Sequence, residues 1–164
     1  MTTLAVSTLT KALSDLLTEA YDGPPDPRSN WFIDNEPDSG ILGTLKNVSA
    51  AEVSRSVDGS GKPGSTIAAN VEHLRWSLAN ANGALRGQPY QANWKESWAL
   101  LDADETKWAA LLVALHSEYK TLRDAVRTQQ DLQDEYLLGV MALVPHAAFH
   151  LGILRQMIER VRQD

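Results

Sequence analysis

Residues 136–154 read YLLGVMALVPHAAFHLGIL, and no Asp, Glu, Lys or Arg interrupts them. A run this apolar is either the innermost helix of a helical core or a membrane span, because a surface helix needs a polar face. At about nineteen residues it reaches the length of a span. It also holds Pro145, two histidines and two glycines, and every other helical segment of the chain is amphipathic. The expectation is therefore a central helix of a soluble bundle, with no membrane partner. His146 and His150 stand one helical turn apart on one side of that helix. This spacing suits two ligands of one metal ion, and it equally suits two unrelated core histidines. No Glu follows His146, so the metalloprotease helix with its built-in base is absent.

Composition limits the classes of function. A chain of 164 residues, 43% hydrophobic and 22% charged, reads as a single domain over 1–164. That size buries roughly two thirds of its unfolded surface. The net charge is −6 and the basic residues are scattered. Their densest group, Arg155, Arg160 and Arg162, falls at a helix end where cations are expected anyway. Nucleic acid, which needs clustered Lys and Arg, is not an expected partner. There is no cysteine, which excludes disulfides, thiolate ligands and a cysteine nucleophile. The opening MTTLAVSTLTKALSDLL lacks both a basic leader and a long apolar core, so no signal peptide is expected. The expected location is cytoplasmic.

Periodicity predicts helices throughout. Leu9, Leu13, Leu16, Leu17 and Ala20 mark one over 4–21, closed by the turn-rich DGPPDP. A short helix is expected near 38–47, and Ser49 with Glu52 reads as a capping box. DGSGKPGS at 58–65 reads as a flexible loop, and its glycine spacing fits no phosphate-binding fingerprint. Ser65 is the expected cap of a helix over 66–86, whose seam is Ile67, Val71, Leu74, Leu78, Ala81 and Leu85. GQPYQANWKESW at 87–98 reads as a long loop or short helix. Two further helices are expected, one over 103–129 with Trp108, Leu111, Leu112, Leu115, Tyr119, Leu122 and Val126 facing inward, the other over 132–161. Strand-type alternation is absent, so the predicted class is all-α with four main helices.

His73 lies about 120° from the centre of the 66–86 seam. It shares a side with Thr66, Asn70, Ser77 and Asn80, a face that is polar but free of charge. On the last helix Leu137, Val144, Ala148 and Leu151 form one side. Leu143, His146, His150, Ile153 and Met157 form another, so both sides are expected to be covered. His116, beside Ser117 and Glu118, reads as an ordinary, partly exposed histidine.

The segments STIAANVEHLRWSLANANGALRG at 65–87, NWKESW at 93–98 and VPHAAFHLGILRQM at 144–157 together resemble the DinB-like superfamily. That group includes metal-dependent hydrolases and thiol transferases of the YfiT type. The resemblance covers essentially the whole chain, and its most specific part is the pattern His…His-x-x-x-His-x-Gly. It implies an up-down-down-up four-helix bundle and a likeness-based ligand set of His73, His146 and His150 around one divalent transition metal ion, zinc first and nickel next. It also implies a homodimer. Pro145 departs from the family pattern and puts the aim of His146 in question.

Two functions follow from the resemblance. One is catalytic: the ion activates a low-molecular-weight thiol, or water, toward an electrophile. No general base stands out, which favours the thiol over hydrolysis. The other is a non-catalytic, metal-stabilised bundle used in stress response or assembly. A pocket beside the site, lined by polar groups of the 66–86 helix and by Trp76 or Trp94, would favour the first. A site sealed by side chains would favour the second.

Overall fold

The computed structural model describes residues 5–28, 30–131 and 134–163. Among these the chain is all-helical, as expected. Four long helices carry the architecture: α1 (Val6–Asp22), α4 (Ile67–Leu85), α5 (Glu105–Thr128) and α6 (Asp134–Gln163). Two short ones, α2 (Ile41–Leu45) and α3 (Ala50–Val53), lie between α1 and α4. A single turn of 3-10 helix at Glu96–Trp98 precedes α5. Leu4, and positions 132 and 133 of the expected last helix, lie outside the described residues.

The long helices pack in a ring. α1 meets α5 and α6, and α4 meets the same two from the other side. One continuous core runs through it, with Leu17, Leu45, Val71, Leu78, Leu115, Leu122 and Leu154 at zero exposure. The predicted seam of α4 is buried at Ile67, Val71, Leu74 and Leu78 and partly buried at Ala81 and Leu85. On α5 the inward set is Trp108, Leu111, Leu115, Tyr119, Leu122 and Val126. Leu112 is only partly buried.

The ends of the helices follow their capping chemistry. Ser49 and Glu52 form the expected capping box on α3. The cap of α4 is Thr66, not Ser65: the Thr66 hydroxyl accepts from the Ala69 amide at 3.2 Å, a bond worth about 1 kcal/mol. The Ser65 hydroxyl is buried without a partner among the described residues. One residue separates the two positions, and both are good caps by chemistry, so the choice is made by the direction in which the chain enters the helix.

Buried Glu19 organises the segment after α1. Its Oε1 accepts from the amides of Trp31, Phe32 and Ile33 at 2.7, 2.8 and 3.1 Å. A carboxylate out of water needs several donors at once, and here three consecutive backbone amides supply them. The turn into that segment is made by Gly23, whose φ of 103° suits glycine.

α6 is tied down along its C-terminal half. Arg155 donates to Asp34 at 2.6 Å and to the Ser39 carbonyl at 2.7 Å. Arg162 donates to Glu52 at 2.7 Å and to the Asn47 carbonyl at 2.8 Å. Its N-terminal half and middle are less covered than expected. Leu138 is 70% exposed, Met141 47% and Phe149 64%, so a third, solvent-facing apolar side joins the two predicted ones. α6 also has the length and hydropathy of a membrane-spanning helix, and 28% of its most apolar window is buried. This resemblance to a span rests on length and composition alone.

Candidate metal centre

The site lies where α4 faces α6, under the 3-10 turn. α4 contributes His73 from its polar side, which is buried throughout: Thr66, Asn70, His73, Ser77 and Asn80 are all inaccessible or nearly so. α6 contributes His146 and His150, and α6 stays helical through Pro145. One ring nitrogen of each of the three histidines lies within 4.8 Å of the others, a group that could hold a metal ion. His73 Nε2 and His146 Nε2 are 3.0 Å apart. Two nitrogens bound at about 2.0–2.1 Å to one tetrahedral ion keep about 3.3 Å between them, so that spacing fits.

The residues behind the rings decide which nitrogen faces inward. Ser97, fully buried, donates its hydroxyl hydrogen to the Trp94 carbonyl at 2.7 Å. Its oxygen is then an acceptor for His73 Nδ1–H at 2.7 Å. The His73 proton therefore resides on Nδ1, and Nε2 keeps its lone pair. His150 is held the same way. The amide nitrogen of Asn70 donates to the carbonyls of Gly64 and Thr66, each at 2.9 Å, which turns its oxygen toward His150 Nδ1 at 3.2 Å. The indole of Trp98 stacks on His73 with ring centres 3.9 Å apart and 13° between planes.

All three imidazoles are held neutral. Burial pushes His150 down to about 3, and His146 and His73 beside it add to the effect. Burial likewise takes His73 to about 4, with His146 contributing, and burial lowers His146. A neutral imidazole with a fixed tautomer is the form that ligates a metal.

The site is open. A cavity of about 630 Å³ is floored by Asn70, His73, Trp98 and the two α6 histidines, and rimmed by residues of the 57–65 loop, among them Asp58, Ser60 and Lys62. Gly64, with φ of 85°, lets that loop run against the Trp98 ring, which an added Cβ would meet at 3.4 Å. Among the described residues Asp58 is the single carboxylate on this rim. The amide of Ser60 and the hydroxyl of Ser56 both donate to it.

Of the sequence candidates, His73, His146 and His150 come together. His116 is exposed on α5 against Tyr119, with ring centres 6.5 Å apart, and takes no part. Glu72 pairs with Arg75 at 2.7 Å, away from the cluster. Asn70, from the uncharged polar face of α4, turns its side chain to His150. Ser97 and the 57–65 loop were not foreseen as parts of the site. Ser97 sits in an irregular segment whose course no periodicity reveals, and the loop carries no residue pattern that marks a rim. Comparison with models of known protein families, with curated proteins and with solved structures finds no match to this chain.

Proposed function

We propose that this chain is a DinB-like four-helix bundle that holds one divalent transition metal ion through His73, His146 and His150, and that it acts on a low-molecular-weight thiol. The observation that carries the reading is the convergence of the three rings with two of them locked by Ser97 and Asn70 through Nδ1, which leaves the Nε2 of each unprotonated. An ion held by three neutral imidazoles would keep its full charge and lower the pKa of a thiol or water bound to it.

The chain's own residues supply the rest. Trp98 and Asn70 keep the inner side of the cluster dry, and the cavity under the 57–65 loop admits a small molecule from outside. Asp58 at the rim is held well below the usual carboxylate range, to about 2, by hydrogen bonds from Ser60 and Ser56, so it is a poor proton acceptor. This supports the thiol over water, because a thiol gives up its proton far more readily than water and depends less on a nearby base. An open cavity beside the histidines supports catalysis over a sealed structural site. Zinc is the expected ion and nickel the next, both being suited to imidazole donors.

Metal analysis of the purified protein tests this. We expect one divalent ion per chain, lost in His73→Ala and kept in His116→Ala. With the ion present, a cellular thiol and a model electrophile should couple at a rate that His150→Ala abolishes. Protein that holds no ion overturns the reading. An ion without any coupling rate leaves the non-catalytic, metal-stabilised role.

A further inference from the structure

A second cavity opens on the other side of His146. It lies between α4 and the N-terminal half of α6, has a volume of about 480 Å³, and is walled by Ala81, Tyr90, Trp94, Tyr136 and Leu143. The His146 ring lines this cavity and the histidine cavity alike. The two spaces differ in chemistry. Charged and hydroxyl side chains of the 57–65 loop rim the first. In the second, Glu135 is the only charged residue among the described ones, and the walls are mainly aromatic and aliphatic.

The second cavity is built, not left over from poor packing. Asn80, buried on the polar side of α4, clamps the loop that carries its aromatic wall. Its amide donates to the Gln91 carbonyl, and its oxygen accepts from the Gln91 amide, both at 2.8 Å. Trp94 is braced by Trp76, with ring centres 5.0 Å apart, and lies 5.7 Å from His73. Tyr90 and Trp94 nevertheless remain 56% and 41% exposed. On the α6 side the space is kept by Gly139, where an added Cβ would meet nothing within 4 Å. Covering exposed aromatic carbon is favourable, and the volume falls in the roughly 300–1,000 Å³ range of small-molecule sites.

We propose that this cavity receives the uncharged, apolar body of the electrophile, an aromatic or branched aliphatic small molecule, and presents its reactive end at the His146 side of the cluster. This assignment of substrate class rests on the histidines being the reacting site. It makes the two approaches to the cluster chemically distinct: polar groups enter past the 57–65 loop, and apolar ones past Tyr90 and Trp94.

The test uses 1-aminoanthracene, an uncharged aromatic probe whose fluorescence rises in apolar surroundings, with the metal-free protein. The wild type should take it up saturably. Gly139→Leu fills the cavity and should weaken uptake at least about tenfold, with the helical circular dichroism unchanged. Gly152→Leu makes the same change on the same helix at a position that also faces open space but does not line the cavity, and should keep uptake. If Gly139→Leu does not fold, Tyr90→Ser at the exposed rim serves in its place. With cobalt(II) loaded, the probe should shift the visible absorption of the ion, because His146 borders both spaces. No saturable uptake, uptake equal in the Gly139 and Gly152 variants, or a cobalt spectrum blind to the probe overturns the inference. Since uptake is read without metal, a protein that takes the probe but no ion removes the metal reading and leaves an apolar binding cavity. One that takes the ion but no probe removes the cavity proposal alone.

Discussion

A histidine can ligate a metal only with a neutral ring and the correct nitrogen turned inward. Ser97 imposes this on His73 through a hydroxyl whose own hydrogen is committed to Trp94. Asn70 does the same for His150 through an amide committed to Gly64 and Thr66. Removing such a supporting group costs about 10- to 100-fold in metal affinity in other histidine sites. Ser97→Ala should weaken binding by that factor, measured by competition with a chelator, while the circular dichroism stays that of the wild type. Unchanged affinity would sink the positioning role given to Ser97. No pattern in the sequence points to this serine, because its partner lies twenty-four positions away.

At the scale of elements, α6 carries the most unusual feature. Proline inside a helix lacks the N–H that would bond the carbonyl four residues back, here that of Met141, and its ring crowds that carbonyl. α6 nonetheless runs unbroken past Pro145, and His146 still reaches His73. Pro145→Ala should restore the bond and raise stability by about 2 kcal/mol, the helix gain less the entropy proline removes from the unfolded chain. Urea denaturation reads this directly, and a loss of stability would mean that the proline shapes α6 in a way its neighbours require. The anchors at Arg155 and Arg162 explain how the second half of the helix keeps its place whatever happens at residue 145.

For the whole molecule, three neutral histidines, two buried and one partly buried, set a pH dependence. Their folded values lie below the ordinary 6.5, at about 4 for His73 and about 3 for His150. Below pH 6.5 the unfolded chain therefore binds more protons than the folded one, and stability falls as pH falls. The contribution is complete above 6.5 and is gone once the pH has passed below the folded value of His150. Glu52, held at about 2 by Arg162 and Ser49, adds the same sign of dependence, over a lower range beginning at 4.5. The melting temperature of the metal-free protein should thus drop between pH 6.5 and 4.5, and the double variant His73→Ala, His150→Ala should lose most of that slope. A flat profile in the wild type contradicts neutral burial of the cluster.

The helical class, most helix boundaries to within a residue or two, the inward faces of α4 and α5 and the capping box at Ser49 were all legible in the order of residues. Each depends on local spacing and local hydrogen bonding, which the chain carries along its length. The grouping of His73 with His146 and His150 was expected through resemblance, because ring nitrogens seventy-three positions apart meet only when two helices pack. Packing also selected Thr66 over Ser65, placed Ser97 behind His73, brought the 57–65 loop over Trp98 and left one side of α6 in water. These outcomes depend on how neighbouring elements approach one another, and that approach is a property of the assembled core, not of any single segment.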